Sequence, residues 1–290
     1  MKTRKFSFFT VLLLSVCVAA CDSGNGEDDP PANQNIRLTK EIVNETDYGT
    51  STYLYLYDTQ NRLRKIASEW TDEFFYNTDG TLSHVTYSGS SSTQTENYFY
   101  KNGKIDFIER IGFNKNTNHD TIYFFYGSNG RLDRTESSYY SDGIVRKNIV
   151  EYTFDNNNRL LSRFERSLYD NELIRYDSTY YSWSTSGNLN RVDIRQWSEG
   201  LVNYVNKIEY EYDNKLNFYK TISYPAEYLL VKSLRPDEEF SLNNYVVQTR
   251  TNITGSSNTY IHNISSYNEQ GYPLMINADW GTWELEYETY

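Results

Sequence analysis

Polar and hydrophobic residues alternate along most of this chain. In KIEYEY (207–212), Ile208, Tyr210 and Tyr212 share one face, while Lys207, Glu209 and Glu211 share the other. A period of two marks an extended strand covered on one side only. The closing segment WELEYETY (283–290) repeats the pattern, with Glu284, Glu286 and Glu288 opposite the apolar face. Short polar runs separate such strands, and they are variants of one unit: an aromatic, a stretch rich in Asp, Asn and Gly, a basic or polar residue, then an aliphatic. The clearest is FDNNNRL within YTFDNNNRL (152–160); others are YDTQNRL from Tyr57, YNTDGTL from Tyr76, YKNGKI from Tyr100, YGSNGRL from Tyr126, WSTSGNL from Trp183, YDNKL from Tyr212 and YNEQGYPL from Tyr267. Asn, Asp and Gly tolerate positive φ and favour turns, so each unit predicts a β-hairpin.

Successive units start 19, 24, 26, 28, 29, 29 and 55 residues apart. The last spacing, about twice its neighbours, suggests one disguised copy. Within it lies AEYLLVKSLRPDEEF (226–240), where Leu229, Leu230 and Leu234 fall at helical spacing before Pro236. A helix of two or three turns is expected there, filling a lumen or capping a rim. Two strands per unit give about 18 short strands, a number at which open sheets curl, split or close. The predicted fold is all-β: an antiparallel up-and-down meander of hairpin repeats, either a closed barrel or a strongly curled single sheet, with one short helical insertion. The 29 Tyr and 14 Phe suit it, because a tyrosine covers a sheet face with its ring while its hydroxyl finds water or a partner. The recurring tyrosine stripes read as cross-strand packing before they read as a ligand platform.

The N-terminal segment is different. Lys2, Arg4 and Lys5 precede an apolar run that ends VAAC at Cys21, the pattern of a secretory signal processed as a bacterial lipoprotein. Residues 1–20 are then a signal peptide, Cys21 is the lipid attachment site, residues 21–35 are an acylated, acidic, flexible tether and residues 36–290 are the repeat domain. Loss of residues 1–20 takes the formal charge from −11 to −14. No basic patch offers itself to nucleic acid, and the expected partner is the outer membrane through the lipid, with the domain on its periplasmic or outer face.

Enzymatic chemistry finds no motif. Cys17 leaves with the signal and Cys21 is acylated, and His84, His119 and His262 lie in separate units without metal-ligand spacing. Neither a cofactor nor a metal is expected, and no nucleophile or phosphate-loop pattern occurs. An outer-membrane pore requires an apolar outward band. The alternation puts charges on one face and tyrosines on the other, and together with the anchor this favours a domain outside the bilayer.

In a meander all the Asp/Asn/Gly turns lie at one rim and the linkers at the other. The linkers hold Trp70, Trp197 and Trp280, with Trp283 just beyond. These four form the candidate ligand-contacting rim; the competing account is that they fold over and seal it.

YDTQNRL, FDNNNRL and YGSNGRL resemble the YD repeats of the Rhs family, and signal, anchor and repeats together resemble an uncharacterised group of bacterial lipoproteins with a porin-like barrel fold. The resemblance implies a surface binding role. The chain carries no toxin segment, which departs from the large Rhs proteins. The expected function is lipid-anchored binding, of glycan at the aromatic rim, with a structural or protein-contact scaffold and a secreted hydrolase as alternatives.

Overall fold

The computed structural model describes residues 35–90, 92–112, 119–141, 144–170, 172–198, 201–233 and 240–290. The predicted signal, Cys21 and the tether up to residue 34 lie outside them, as do Leu234 and Pro236. Strands run from β1 (Ile36–Glu45) through β2 (Gly49–Tyr57), β3 (Leu63–Ala67), β4 (Thr71–Tyr76), β5 (Leu82–Ser88) and β6 (Thr93–Lys101). They continue with β7 (Lys104–Ile111), β8 (His119–Tyr126), β9 (Leu132–Ser141), β10 (Ile144–Phe154), β11 (Leu160–Tyr169) and β12 (Glu172–Trp183). The last are β13 (Leu189–Ser198), β14 (Leu201–Leu216), β15 (Asn243–Asn252), β16 (Ser257–Tyr267), β17 (Pro273–Ala278) and β18 (Gly281–Thr289). Each strand pairs antiparallel with its sequence neighbours, and β18 returns to β1, which also pairs with β2. The 18-stranded sheet is therefore a closed up-and-down barrel with no free edge.

Seven of the eight repeat units form turns at one rim and the other, YDNKL, ends β14 there where the insertion begins; this rim is called proximal because the described residues also begin and end there, with the Tyr290 N–H donating to the Asn35 carbonyl at 3.0 Å. Among the described residues no hairpin is disguised in the long spacing. The extra residues are an insertion between β14 and β15, holding a 3-10 turn at Phe218–Thr221 and the helix α1 (Ala226–Ser233).

The turns explain their own composition. Asp58 Oδ1 accepts from the backbone N–H of Gln60 (2.8 Å) and Arg62 (3.0 Å), while its other oxygen takes Arg62 Nε at 2.7 Å. Asp155 does the same with Asn157 and Arg159. Asn61 and Asn158 sit at φ of 61° and 62°, where the equivalent residue in other units is glycine.

Units are also fastened to one another. The aromatic that opens a unit donates to the carbonyl of the aliphatic that closed the preceding one: Tyr76 to Leu63 (2.6 Å), Tyr100 to Leu82 (2.6 Å), Tyr126 to Ile105 (3.0 Å), Trp183 Nε1 to Leu160 (2.8 Å) and Tyr212 to Leu189 (2.6 Å). The basic residue of one unit lies over the ring of the next, as with Arg62 on Tyr76 at 4.0 Å and Lys104 on Tyr126 at 4.9 Å. Burial pushes the Tyr76 and Tyr100 hydroxyls well above their usual range, which keeps them protonated donors. Phe154 interrupts the series because it has no hydroxyl.

Inward positions carry the apolar set, including Leu38, Leu63, Phe74, Leu82, Val85 and Ile108, all essentially inaccessible to solvent. The insertion covers part of that surface from inside. Tyr228 of α1 is buried with its ring edge-on to Phe74 at 5.1 Å, Leu38 N–H donates to Thr221 Oγ1 at 3.2 Å, and Leu63 N–H donates to the Ser223 carbonyl at 3.2 Å. The helix therefore plugs the proximal end of the lumen, one of the two expected placements.

The outer wall is charged. Lys40–Glu286, Lys65–Glu73, Lys147–Glu136 and Lys207–Glu209 form ion pairs at 2.6, 3.0, 2.6 and 2.7 Å, and KIEYEY faces as its alternation predicts. A cation at a bilayer midplane costs about 2–4 kcal/mol, so this wall is unsuited to hydrocarbon. Exposed apolar side chains gather on β2–β8, among them Leu56, Phe75, Phe99, Tyr123 and Phe125.

Candidate functional site

The distal end is open. Between β1–β4, the start of β18 and the insertion lies a cavity of about 410 Å³, floored by Tyr219, Tyr224 and Tyr228 of the insertion. Trp70, Trp280 and Trp283 line it, so three of the four predicted tryptophans share one mouth. Their roles differ. Trp283 is only 9 % exposed and is set into the wall: His262 stacks on it at 5.3 Å, and Tyr245 in turn packs on His262 at 4.3 Å. Trp280 stands edge-on to Trp283 at 4.5 Å and is 37 % exposed, and Trp70, on the β3–β4 connection, is 50 % exposed. Trp70 rests against Gly89 of the next distal turn, where any Cβ would lie 2.8 Å from its ring. Trp283 thus seals, while Trp70 and Trp280 present ring surface at the opening.

Trp197 is elsewhere. It pairs with Tyr176 on β12, whose neighbours Arg175 and Asp177 face the lumen, so Trp197 lies on the outer wall with its ring 5.0 Å from Tyr176. Rim height was predictable from the meander, but strand parity decides the side, and it excludes Trp197 from the mouth.

The mouth is acidic. Glu41, Glu45 and Asp72 line it with no lysine or arginine among the lining residues. Glu41 is buried and accepts the Tyr55 hydroxyl at 2.8 Å. Burial and then the charge of Glu41 push the Tyr55 hydroxyl well above its usual range. His262, 6 % exposed, is pushed down to about 4, chiefly by burial and against the opposing charge of Asp279, so it is neutral at physiological pH. His84 lies on the outer wall, stacked on Phe75 at 4.2 Å. Among the described residues no three His, Cys, Asp or Glu side chains are grouped to hold a metal.

A second distal cavity, of about 770 Å³, was not foreseen. It is walled by the luminal faces of β10–β15 and includes Arg146, Arg163, Arg175 and Arg250 with Glu165 and Asp177. Arg163 pairs with Glu165 at 2.5 Å and Arg175 with Asp177 at 2.8 Å. The sequence signal was charge at alternate positions of two neighbouring strands, Arg163/Glu165 and Arg175/Asp177.

The sequence matches no protein-family model and no curated protein. Among solved structures it is similar to a porin-like protein from Bacteroides vulgatus, 14% identical with a TM-score of 0.46 over 88% of this chain and 99% of that one. A porin-like protein from Bacteroides uniformis is 13% identical with a TM-score of 0.45, over 88% and 98% of the two chains. A TcdB2–TccC3 structure is 11% identical with a TM-score of 0.36, over 86% of this chain and 15% of that one.

Proposed function

We propose that this chain is a lipid-anchored binding protein of the cell envelope that takes glycan at the distal aromatic mouth. The observation that carries the reading is the open cavity of about 410 Å³ with Trp70 and Trp280 at its lip, tyrosines on its floor and carboxylates on its wall. Indole faces cover the apolar faces of sugar rings, and carboxylates accept their hydroxyls. The described residues begin at Asn35 on the plugged proximal rim, the end opposite the mouth, so a lipid on Cys21 would attach from that end. The intervening residues span up to about 45–50 Å when extended. The reading is of binding without turnover.

The test is a fluorescence titration of the Cys21→Ala chain with neutral oligosaccharides. A saturable shift abolished by Trp280→Ala and retained by Trp197→Ala is expected. Absence of any shift, or a shift indifferent to Trp280→Ala, counts against glycan recognition at the mouth. Membrane retention of the native chain, lost in Cys21→Ala, tests the anchor separately. The second reading, a protein-contact scaffold, draws on the exposed Leu56, Phe75, Phe99, Tyr123 and Phe125 of the outer wall. It predicts that Phe75→Ser and Phe99→Ser abolish co-purification of a partner while sugar binding is unaffected.

A further inference from the structure

We infer that the arginine-lined cavity of β10–β15 binds an anionic oligosaccharide, one carrying carboxylate or sulfate groups. This site is separate from the aromatic mouth and does not depend on it. Four guanidiniums meet two carboxylates in the cavity, in a chain whose formal charge is −11. Glu165 and Asp177 face each other across β11 and β12, and each is engaged by the arginine two residues earlier in its own strand. Arg163, 7 % exposed, is thereby committed.

Arg146 and Arg250 are not so engaged. Arg146 lies 5.4 Å from the Tyr169 ring, and its buried Nε has no hydrogen-bond partner. Arg250 is held by the neutral Gln248 at 2.8 Å and lies 5.6 Å from the Tyr260 ring. A guanidinium is always charged; Arg146 keeps a buried donor unmatched and Arg250 is met only by a neutral amide, so neither charge is offset by a carboxylate among the described residues and both are set to receive an anion. They stand on β10 and β15 at opposite flanks of the cavity, which favours an extended ligand bearing more than one negative group.

The remaining lining argues for a sugar chain over a compact anion. Asn148 and Gln196, both half-buried, offer hydrogen bonds along the wall, and the exposed Ile174 offers apolar surface for the ring faces of a sugar. A volume of about 770 Å³ holds several sugar residues and lies within the usual span of ligand sites. Carboxylate and sulfate both present paired oxygens that suit the guanidinium fork.

The experiment is calorimetric titration of the full-length protein in detergent micelles with three tetrasaccharides: galacturonate, sulfated galactose and neutral galactose. Saturable binding of either acidic probe, at least tenfold tighter than the neutral one, is expected, and the stronger of the two identifies the anionic group. Arg146→Gln and Arg250→Gln should each weaken it about tenfold, whereas Lys207→Gln on the outer wall should not. Should an arginine variant misfold by circular dichroism, the salt dependence of the native protein decides: affinity should fall steeply between about 50 and 200 mM salt. The proposal is overturned if neither acidic probe binds, if the neutral probe binds equally, if Lys207→Gln weakens binding as much as the arginine variants, or if binding is indifferent to salt.

Discussion

The inter-unit hydrogen bond makes a quantitative prediction about stability. Tyr100→Phe deletes only the hydroxyl that donates to the Leu82 carbonyl at 2.6 Å and leaves the ring in place. A bond of this kind contributes about 1 kcal/mol net, and an acceptor left without its donor brings the cost to about 1–2 kcal/mol. Tyr212→Phe should cost more. Its hydroxyl donates to Leu189 at 2.6 Å and also accepts from the fully buried Ser241 Oγ at 2.7 Å, which itself accepts Leu189 N–H at 3.0 Å. Two bonds then fail together, for about 2–3 kcal/mol. In a domain of this size each kcal/mol lowers the melting temperature by about 2–4 °C. The control is Tyr123→Phe on the outer wall, a half-exposed ring whose hydroxyl makes no hydrogen bond among the described residues, for which a change within about 0.5 kcal/mol is expected. Urea unfolding followed by tryptophan fluorescence reads all three. Should Tyr100→Phe and Tyr212→Phe match the control, the hydroxyl-to-carbonyl fastening would not be what joins the units.

Three further outcomes follow from particular residues. His262 has a folded pKa of about 4 against about 6.5 unfolded, so the unfolded chain binds more protons between those values. Stability should be full above about pH 6.5 and fall by about 3 kcal/mol as pH drops to 4, and His262→Gln should flatten that slope in unfolding curves taken from pH 7.5 to 4. The Asp155 carboxyl is held below the usual range, because hydrogen bonds from Arg159 and Asn157 outweigh an opposing desolvation. Asp155→Ala should cost about 1 kcal/mol at pH 7, and the difference from the native protein should shrink as pH falls through and below the carboxylate range, where the native carboxyl also protonates. Gly89→Ala places a methyl 2.8 Å from the Trp70 ring and should displace that ring, shifting tryptophan emission without changing the far-ultraviolet spectrum; unchanged emission would refute the contact.

Much of this fold was legible because its information is local. A turn such as DNNNR carries its own capping carboxylate and its own positive-φ Asn158, so seven turns and their alternating strands could be read one at a time. Closure could be argued only from strand number, since the pairing of Ile36 with Thr289 joins residues no local pattern connects. The doubled spacing was misread because length alone does not distinguish a missing hairpin from an insertion. Trp197 was misplaced for a similar reason: rim height follows from topology, but facing depends on the register of β12 and β13. The arginine cavity was invisible because its members are separated by up to about a hundred residues and meet only through curvature.

Curvature also explains why the two cavities exist. An 18-stranded wall encloses more space than its own side chains fill. The insertion supplies the missing volume, but its seat is asymmetric: Tyr228 meets Phe74, Thr221 meets β1 and Ser223 meets Leu63, all on the half of the wall that carries the chain's beginning. Under the plug the inward positions are apolar, as Leu38, Leu63 and Phe74 are, because packed side chains replace water. On β10–β12 no described plug residue lines the opposing cavity, and inward positions there include Arg146, Arg163, Glu165, Arg175 and Asp177. The apolar cluster of Leu38, Leu63 and Phe74 thus marks where the plug seats, and charged inward residues, Glu41 and Asp72 at the mouth as well as Arg146 and Arg175 across from it, mark where the lumen stays open.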